Sequence, residues 1–264
     1  MELIKNDAVV WDEIWDAHVT EDYDSLNKKL VQTKNSAAWK KYSQIITDNF
    51  GGWQNVNAIE IGSGMGWYSF VAASEGANVT LIDYSEGALR LAQIRFEMFS
   101  FEANFIFGNA FDLLKEVNTR YNLSWSFGTA EHYKNELRQE FFELHFNCLE
   151  NNGITIISCP YKFAINYRLW MHYAIKYNNW SFGLEIPYSK REYIKRLKQS
   201  GNSLVKICFQ EGRPCLNKLL SILRQNSKWR FYIFYPFVKL VHKFNLKISP
   251  FNYRSVILIA AKTK

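Results

Sequence analysis

The sequence predicts an α/β chain built on a doubly wound, mainly parallel sheet, and three observations predict it. From Val56 onward, short apolar runs alternate with helical stretches. The first run ends in Gly62, Gly64 and Gly66, three glycines within five positions, and the second ends in an acid, Asp83. Strands separated by whole helices pair in parallel through right-handed crossovers, which leaves both faces of the sheet covered.

Residues 1–55 read as an N-terminal helical cap, because "WDEIWDAH" and "SAAWKKYSQIITDNF" space their large apolar residues at three and four. Gly51 and Gly52 stop that pattern. "VNAIEI" is the first strand and "WYSFVAASEG" a helix ending at Gly76. "ANVTLID" is the second strand, followed by a helix over "SEGALRLAQIRFEMFS" with a serine available as N-cap. "ANFIFGNA" and "YNLSWSFG" are the third and fourth strands. "KNELRQEFFELHFNCLE" is a helix, and "NNGITIISCP" is a fifth strand after an Asn-Gly turn. Two later strands, "NSLVKICFQ" and "SVILIAAKT", are separated by an excursion long enough to suggest a function of its own. The expected organisation is the cap at 1–55, a core over 56–210 and 254–264, and a basic, aromatic-rich insertion at 211–253.

With 264 residues, 48% of them hydrophobic, the chain can bury a core as one main domain. Its N-terminus carries acids where an export signal has a basic start, so the expected location is cytoplasmic or peripheral at the inner membrane surface. Cys148, Cys159, Cys208 and Cys215 match neither a C-x-x-C pair nor a zinc knuckle, and read as buried thiols with no metal centre. The net charge of +7 is concentrated late: Lys190 to Lys247 holds fourteen Lys and Arg against Glu192 and Glu211. That excess says more about a partner than about the fold.

In an open parallel sheet, ligands bind where the strand order reverses, and the first strand-to-helix turn is the usual contact. Gly62, Gly64 and Gly66 sit on that turn. A dinucleotide fingerprint would need glycine where Trp67 stands, which argues against a pyrophosphate. Glu60 precedes the first glycine by two, and Asp83 follows Gly64 by nineteen, where a carboxylate can accept ribose hydroxyls.

Taken together, "IEIGSGMG", "LIDYSEGALRLA", "GNAFDL" and "WSFGTAEHY" resemble the motifs of the class I S-adenosylmethionine-dependent methyltransferases, in order, over roughly residues 56 to 160. The resemblance implies a Rossmann-like sheet of seven strands with the last one antiparallel, and S-adenosylmethionine as cofactor. It implies that the loop of Gly62, Ser63, Gly64 and Gly66 lines the methionine moiety while Glu60 tethers it. Asp83 would hold the ribose, Tyr84 would lie against the adenine, and Asn109 with Ala110 would flank the adenine edge. Phe127, with Gly128 and Thr129, would meet the cofactor through backbone. Asn109 and Asn122 depart from the family pattern, which more often has Asp at both positions.

Methyl transfer from a sulfonium needs alignment and desolvation above all, and sometimes a base. His132, just past the fourth strand in "GTAEHY", is the candidate catalytic base. His18, His145, His172 and His242 lack that placement and read as core or surface residues. The aromatic groups at 166–180 and 229–237, and Trp11, Trp15 and Trp39, are placed to cover the site or to pack the core. Phe237, Leu240, Val241 and Phe244 give 237–247 the period of a basic amphipathic helix after Pro236, favouring a lid, with peripheral membrane contact through 229–247 as the alternative. The expected reaction is methyl transfer to oxygen or nitrogen of a small or amphiphilic acceptor, and the positive, aromatic-rich cap suits an anionic or lipid-linked one. Nucleic acid is disfavoured, since "FGTA" stands where base-amine methyltransferases carry an N-P-P-Y type tetrapeptide. The competing readings are a catalytically silent S-adenosylmethionine-binding protein and a dinucleotide-dependent oxidoreductase.

Overall fold

A computed structural model of the chain describes residues 11, 12, 15, 21–116, 120–211, 213–243 and 253–261. Seven strands form one sheet: β1 (Asn57–Ile61), β2 (Asn78–Asp83), β3 (Asn104–Phe107), β4 (Tyr121–Phe127), β5 (Leu149–Pro160), β6 (Ser203–Glu211) and β7 (Tyr253–Ala261). Their order is β3-β2-β1-β4-β5-β7-β6. β1 to β5 pair in parallel, and β7 runs antiparallel to both β5 and β6. The order therefore reverses between β1 and β4, and the crevice for a ligand opens at their carboxyl ends.

Alternation along the strands feeds two cores. On one face Ala58, Val79, Leu81 and Trp125 meet Trp39, Tyr42 and Ile46 of α2 (Ala37–Phe50), and Phe70 of α3 (Trp67–Ala73). On the other, Ile59, Ile61, Ile82 and Ile157 meet Phe141 and Phe142 of α6 (Leu137–Asn147) and Tyr193 of α8 (Lys190–Gln199). Burying each Val, Leu, Ile or Phe among them contributes about 1.5–3 kcal/mol. Helix starts follow local chemistry. Asp22 caps α1 (Tyr23–Asn35) and Ser36 caps α2. Ser85 caps α4 (Glu86–Met98), its hydroxyl accepting from Ala88 N at 3.2 Å.

The structure corrects three local expectations. The third strand stops at Phe107, and α5 (Ala110–Glu116) begins inside the stretch read as strand, because Asn109 turns its side-chain oxygen onto Phe111 N at 3.0 Å. Asn152 and Gly153 lie within β5 instead of preceding it. Asn152 has φ +63°, and the register against β4 slips between Tyr121 and Leu123, so the pair makes a bulge. The helix expected after Pro236 starts earlier: α10 (Lys228–Lys243) carries Pro236 inside it, and residues 244–247 lie outside the described set.

α7 (Ile165–Lys176) follows β5 and supports the late excursion. α9 (Arg213–Asn226) and α10 lie beside it, sharing a core of Trp170, Ala174, Cys215, Leu219 and Leu223 with Phe231 and Phe234. Among the described residues, no helix is long and apolar enough to cross a membrane.

Candidate active site

The glycine loop is held by backbone. Gly62 N and Ser63 N donate to Ile82 O at 2.9 and 3.1 Å, and Gly66 N donates to Ser63 O at 2.9 Å. Gly64 N donates to Asp83 Oδ2 at 2.7 Å, while Ser85 N donates to Oδ1 at 2.9 Å. Two of the glycines are required on steric grounds. Gly62 has φ +66°, and a Cβ there would lie 2.3 Å from Thr129 Cγ2; Gly66 has φ +58°, with Leu81 Cδ2 only 2.0 Å away. Arg95, buried on α4, pins the loop by donating to Met65 O at 2.6 Å.

Behind the loop, Glu60 is buried on β1 and accepts from Ser69 N at 3.2 Å and Ser69 Oγ at 2.5 Å, tying strand to helix. Burial pushes its carboxyl up to about 7. Burial also raises Asp83, against the pull of the backbone N–H groups of Gly64 and Ser85. Trp67 stands on the far side, where its indole N–H donates to Thr33 Oγ1 at 3.2 Å and Lys29 lies over its ring.

A cavity of about 780 Å³ opens from this loop. Gly62, Ser63, Gly64, Asp83, Tyr84 and Phe127 line it, together with His132. Glu60, Gly66, Asn109 and Ala110 are not among its lining residues. Glu60 and Gly66 brace the loop from behind, and Asn109 caps α5. Asn122, at the opposite end of β4, accepts from Asn57 N and donates to Asn55 O, each at 2.8 Å. An amide serves both partners, whereas a carboxylate could only accept.

The second wall comes from β4, β5 and the chain after them. A short 3-10 turn, Ala130–His132, follows β4 and brings Glu131 and His132 to the cavity. His132 Nδ1 lies 2.7 Å from Leu184 O. A carbonyl only accepts, so the ring donates in this contact, and the Gly128 carbonyl also favours the protonated ring. Burial lowers the ring to about 4, keeping it neutral at ordinary pH. Ile186 N donates to Glu131 O at 2.8 Å, so two backbone-directed bonds dock residues 184–186 against the turn.

That docking delivers Glu185, whose Oε2 accepts from the Tyr167 hydroxyl. Glu131, His132 and Glu185 each offer a ligand atom within 4.8 Å of the others, a set able to take a cation. Tyr167, Trp170 and Phe182 form the aromatic cover of this side. Trp11 and Trp15 face the cavity from the cap; Trp11 lies edge-on to His132 at 4.9 Å. Trp39 belongs to the core, stacked on Trp53 at 4.9 Å. His145 is also core, wedged between Ser124 and Ser126, and burial lowers it to about 3. Sequence reasoning missed Glu185 and Arg95. Only tertiary contacts bring them to the site.

A glycine turn bonded to the acid that ends the next strand, at the reversal point of a 3-2-1-4-5-7-6 sheet, defines the fold of the class I S-adenosylmethionine-dependent methyltransferases. Residues 58–153 match the family model described as "Methyltransferase domain". No curated protein matches the chain in sequence. Among solved structures, magnesium protoporphyrin IX methyltransferase from Synechocystis with bound S-adenosylhomocysteine is 15% identical, with a TM-score of 0.59, covering 97% of this chain and 94% of its own. A [4+2]-cyclase is 12% identical, with a TM-score of 0.61 over 100% of this chain and 98% of its own. Geranyl diphosphate C-methyltransferase from Streptomyces coelicolor is 16% identical, with a TM-score of 0.53 over 85% of this chain and 76% of its own. Likenesses at this identity establish the shared fold alone.

Proposed function

We propose that the protein is an S-adenosylmethionine-dependent methyltransferase acting on oxygen or nitrogen of a small or amphiphilic molecule. The observation that carries this reading is the Gly64–Asp83 hydrogen bond at 2.7 Å, made on the rim of a cavity large enough for cofactor and acceptor together. The residues fit an adenosyl group: Gly62 and Gly64 present backbone to the cavity, with Thr129 and Trp15 packed where their Cβ atoms would stand, and Asp83 keeps lone pairs beyond those its backbone N–H donors use. Tyr84 and Phe127 supply apolar faces beside them.

When bound, the cofactor supplies an activated methyl group for in-line displacement. The chain's own part is to align, to exclude water and to take a proton. Trp11, Trp15, Trp170 and Phe182 enclose the cavity, and alignment of this kind is worth about 7–11 kcal/mol of barrier. His132, held neutral by burial, accepts the acceptor's proton. Glu131 and Glu185 favour an acceptor that is neutral or carries an amine. An anionic acceptor, expected from the basic last third, would meet Asp83, Glu131 and Glu185 with Lys134 the one Lys or Arg among the described lining residues.

Calorimetry with S-adenosylmethionine, S-adenosylhomocysteine and NAD tests the reading. Binding of the first two without NAD supports it, and binding of NAD alone refutes it. Release of S-adenosylhomocysteine in the presence of a set of amine and hydroxyl acceptors then separates an enzyme from a silent binder.

A further inference from the structure

α10 is apolar on both sides, and only one side is used. Phe231, Phe234 and Val238, spaced three and four apart, face inward onto α7 and α9. On the opposite face, Trp229, Ile233, Pro236 and Leu240 follow one another at four, three and four. Trp229 is 60% exposed, Ile233 62% and Leu240 48%, and the flanking Tyr232 and Phe237 are exposed as well. Five large apolar or aromatic side chains in twelve residues form a continuous stripe, unlike the scattered exposed residues of an ordinary surface.

The charge around the stripe is one-sided. Lys228 and Lys239 are exposed along its border, and Arg230 stacks on Trp229 at 4.3 Å. From Arg213 to Lys264 the sequence holds eleven Lys and Arg and no Asp or Glu. None of the described residues of 213–243 lines the cavity, so this face is not turned inward as a lid over it.

We propose that the outer face of α10 docks the protein onto an anionic lipid bilayer, with the helix lying in the plane of the interface. Trp and Tyr prefer the headgroup boundary, and basic side chains beside them gain from anionic lipid. Ile233 and Leu240 reach the acyl edge, as the apolar face of an interfacial helix does. A second copy of the chain is a poor occupant, because a two-fold pairing would press two acid-free, positively charged faces together. A bilayer brings the opposite charge. The inference is independent of methyl transfer. It does carry a spatial consequence: α9 spans the distance from this face to the cavity's cover, where Lys218 lies 4.5 Å from the Trp170 ring centroid.

Co-sedimentation of the full chain with vesicles tests the proposal, comparing phosphatidylcholine alone with phosphatidylcholine containing about one-third phosphatidylglycerol. The expected result is binding to the anionic vesicles that weakens with salt, and little to the neutral ones. A Trp229→Ser, Ile233→Ser, Leu240→Ser variant should lose about tenfold or more in partitioning. Its thermal midpoint and S-adenosylhomocysteine binding should stay at the wild-type level, since its sites lie outside core and cavity. Lys228→Glu with Lys239→Glu, which leaves the apolar stripe intact, should also lose the anionic preference. Absence of wild-type binding to anionic vesicles, equal binding to neutral ones, or unchanged binding by the two variants would overturn it. So would sedimentation showing a wild-type dimer that the triple-serine variant dissolves.

Discussion

The wall of the cavity supplied by β1 and β2 is made of backbone, whereas the wall supplied by β4, β5 and residues 161–186 is made of side chains. On the first, the backbone N–H groups of Gly64 and Ser85 meet one carboxylate, and the glycines matter for what they lack. On the second, Glu131 and His132 come from the 3-10 turn, Tyr167 and Trp170 from α7 and Glu185 from the loop that hydrogen bonds to Leu184 O and Glu131 O dock on the turn. A backbone wall suits a ligand that never changes, and a side-chain wall suits one that sets specificity. Substitutions on the two walls should therefore fail differently: cofactor affinity and folding on one, turnover on the other.

The largest effect is expected at His132. Replacing it with Gln should lower kcat by 100-fold or more, roughly 3–5 kcal/mol of barrier, while cofactor affinity stays within about twofold. Because burial holds the ring at about 4 in the folded chain, the acid limb of kcat/KM should fall near pH 4, well below that of a solvated histidine. A wild-type kcat in the variant would remove His132 from the mechanism.

Next is Gly66→Val. Positive φ and a Cβ pressed against Leu81 should together cost about 3 kcal/mol or more, a fall of roughly 6–12 °C in thermal midpoint for a chain of this size. Gly201→Ala serves as the control, since Gly201 shares the left-handed conformation at φ +70° but has open space, with nothing within 4 Å, where a Cβ would stand. It should cost about 1–2 kcal/mol, and similar losses at both sites would show that strain alone decides.

Glu60 gives a pH signature to the same wall. A carboxyl raised to about 7 keeps its proton in the folded chain where the unfolded chain has lost it, so stability should fall as pH rises from about 4.5 to about 7 and level off above. Glu60→Gln should flatten that segment, worth roughly 3 kcal/mol at most. Urea midpoints measured across the range would show it, and an unchanged slope in the variant would assign the dependence to another group.

Asp83→Ala comes next in size. It should weaken S-adenosylmethionine binding by about 1–3 kcal/mol in calorimetry, because the carboxylate both holds the loop and offers acceptors to the ribose. Unchanged affinity would mean that Asp83 organises the loop without touching the cofactor.

The two walls also differ in how far they could be read in the sequence. Gly62, Gly64, Gly66 and Asp83 are spaced by one strand and one crossover helix, so local pattern places them, and the sheet order follows from the alternation of elements. Glu185 lies 53 residues beyond His132, and nothing in the period of either segment joins them; the contact exists because Leu184 and Ile186 dock on the 3-10 turn. Likewise α8 offers only Tyr193 and Leu197 as buried residues amid charge, too sparse a stripe to stand out. Pro236 inside α10 and the Asn152–Gly153 bulge inside β5 are tertiary overrides of residues that normally punctuate.

The smallest effect is the sharpest test of the contrast. Tyr167 donates its hydroxyl to Glu185, and Tyr167→Phe removes that donor while leaving the ring to cover the cavity. With that donor gone, Glu185 is less firmly aimed at the acceptor, and about 1 kcal/mol should appear as a rise in acceptor KM of roughly fivefold. Cofactor affinity and thermal midpoint should barely move, because the Tyr167–Glu185 pair belongs to the side-chain wall. If cofactor binding weakens as much as acceptor binding, the two walls are one mechanical unit, and the division between backbone recognition and side-chain recognition fails.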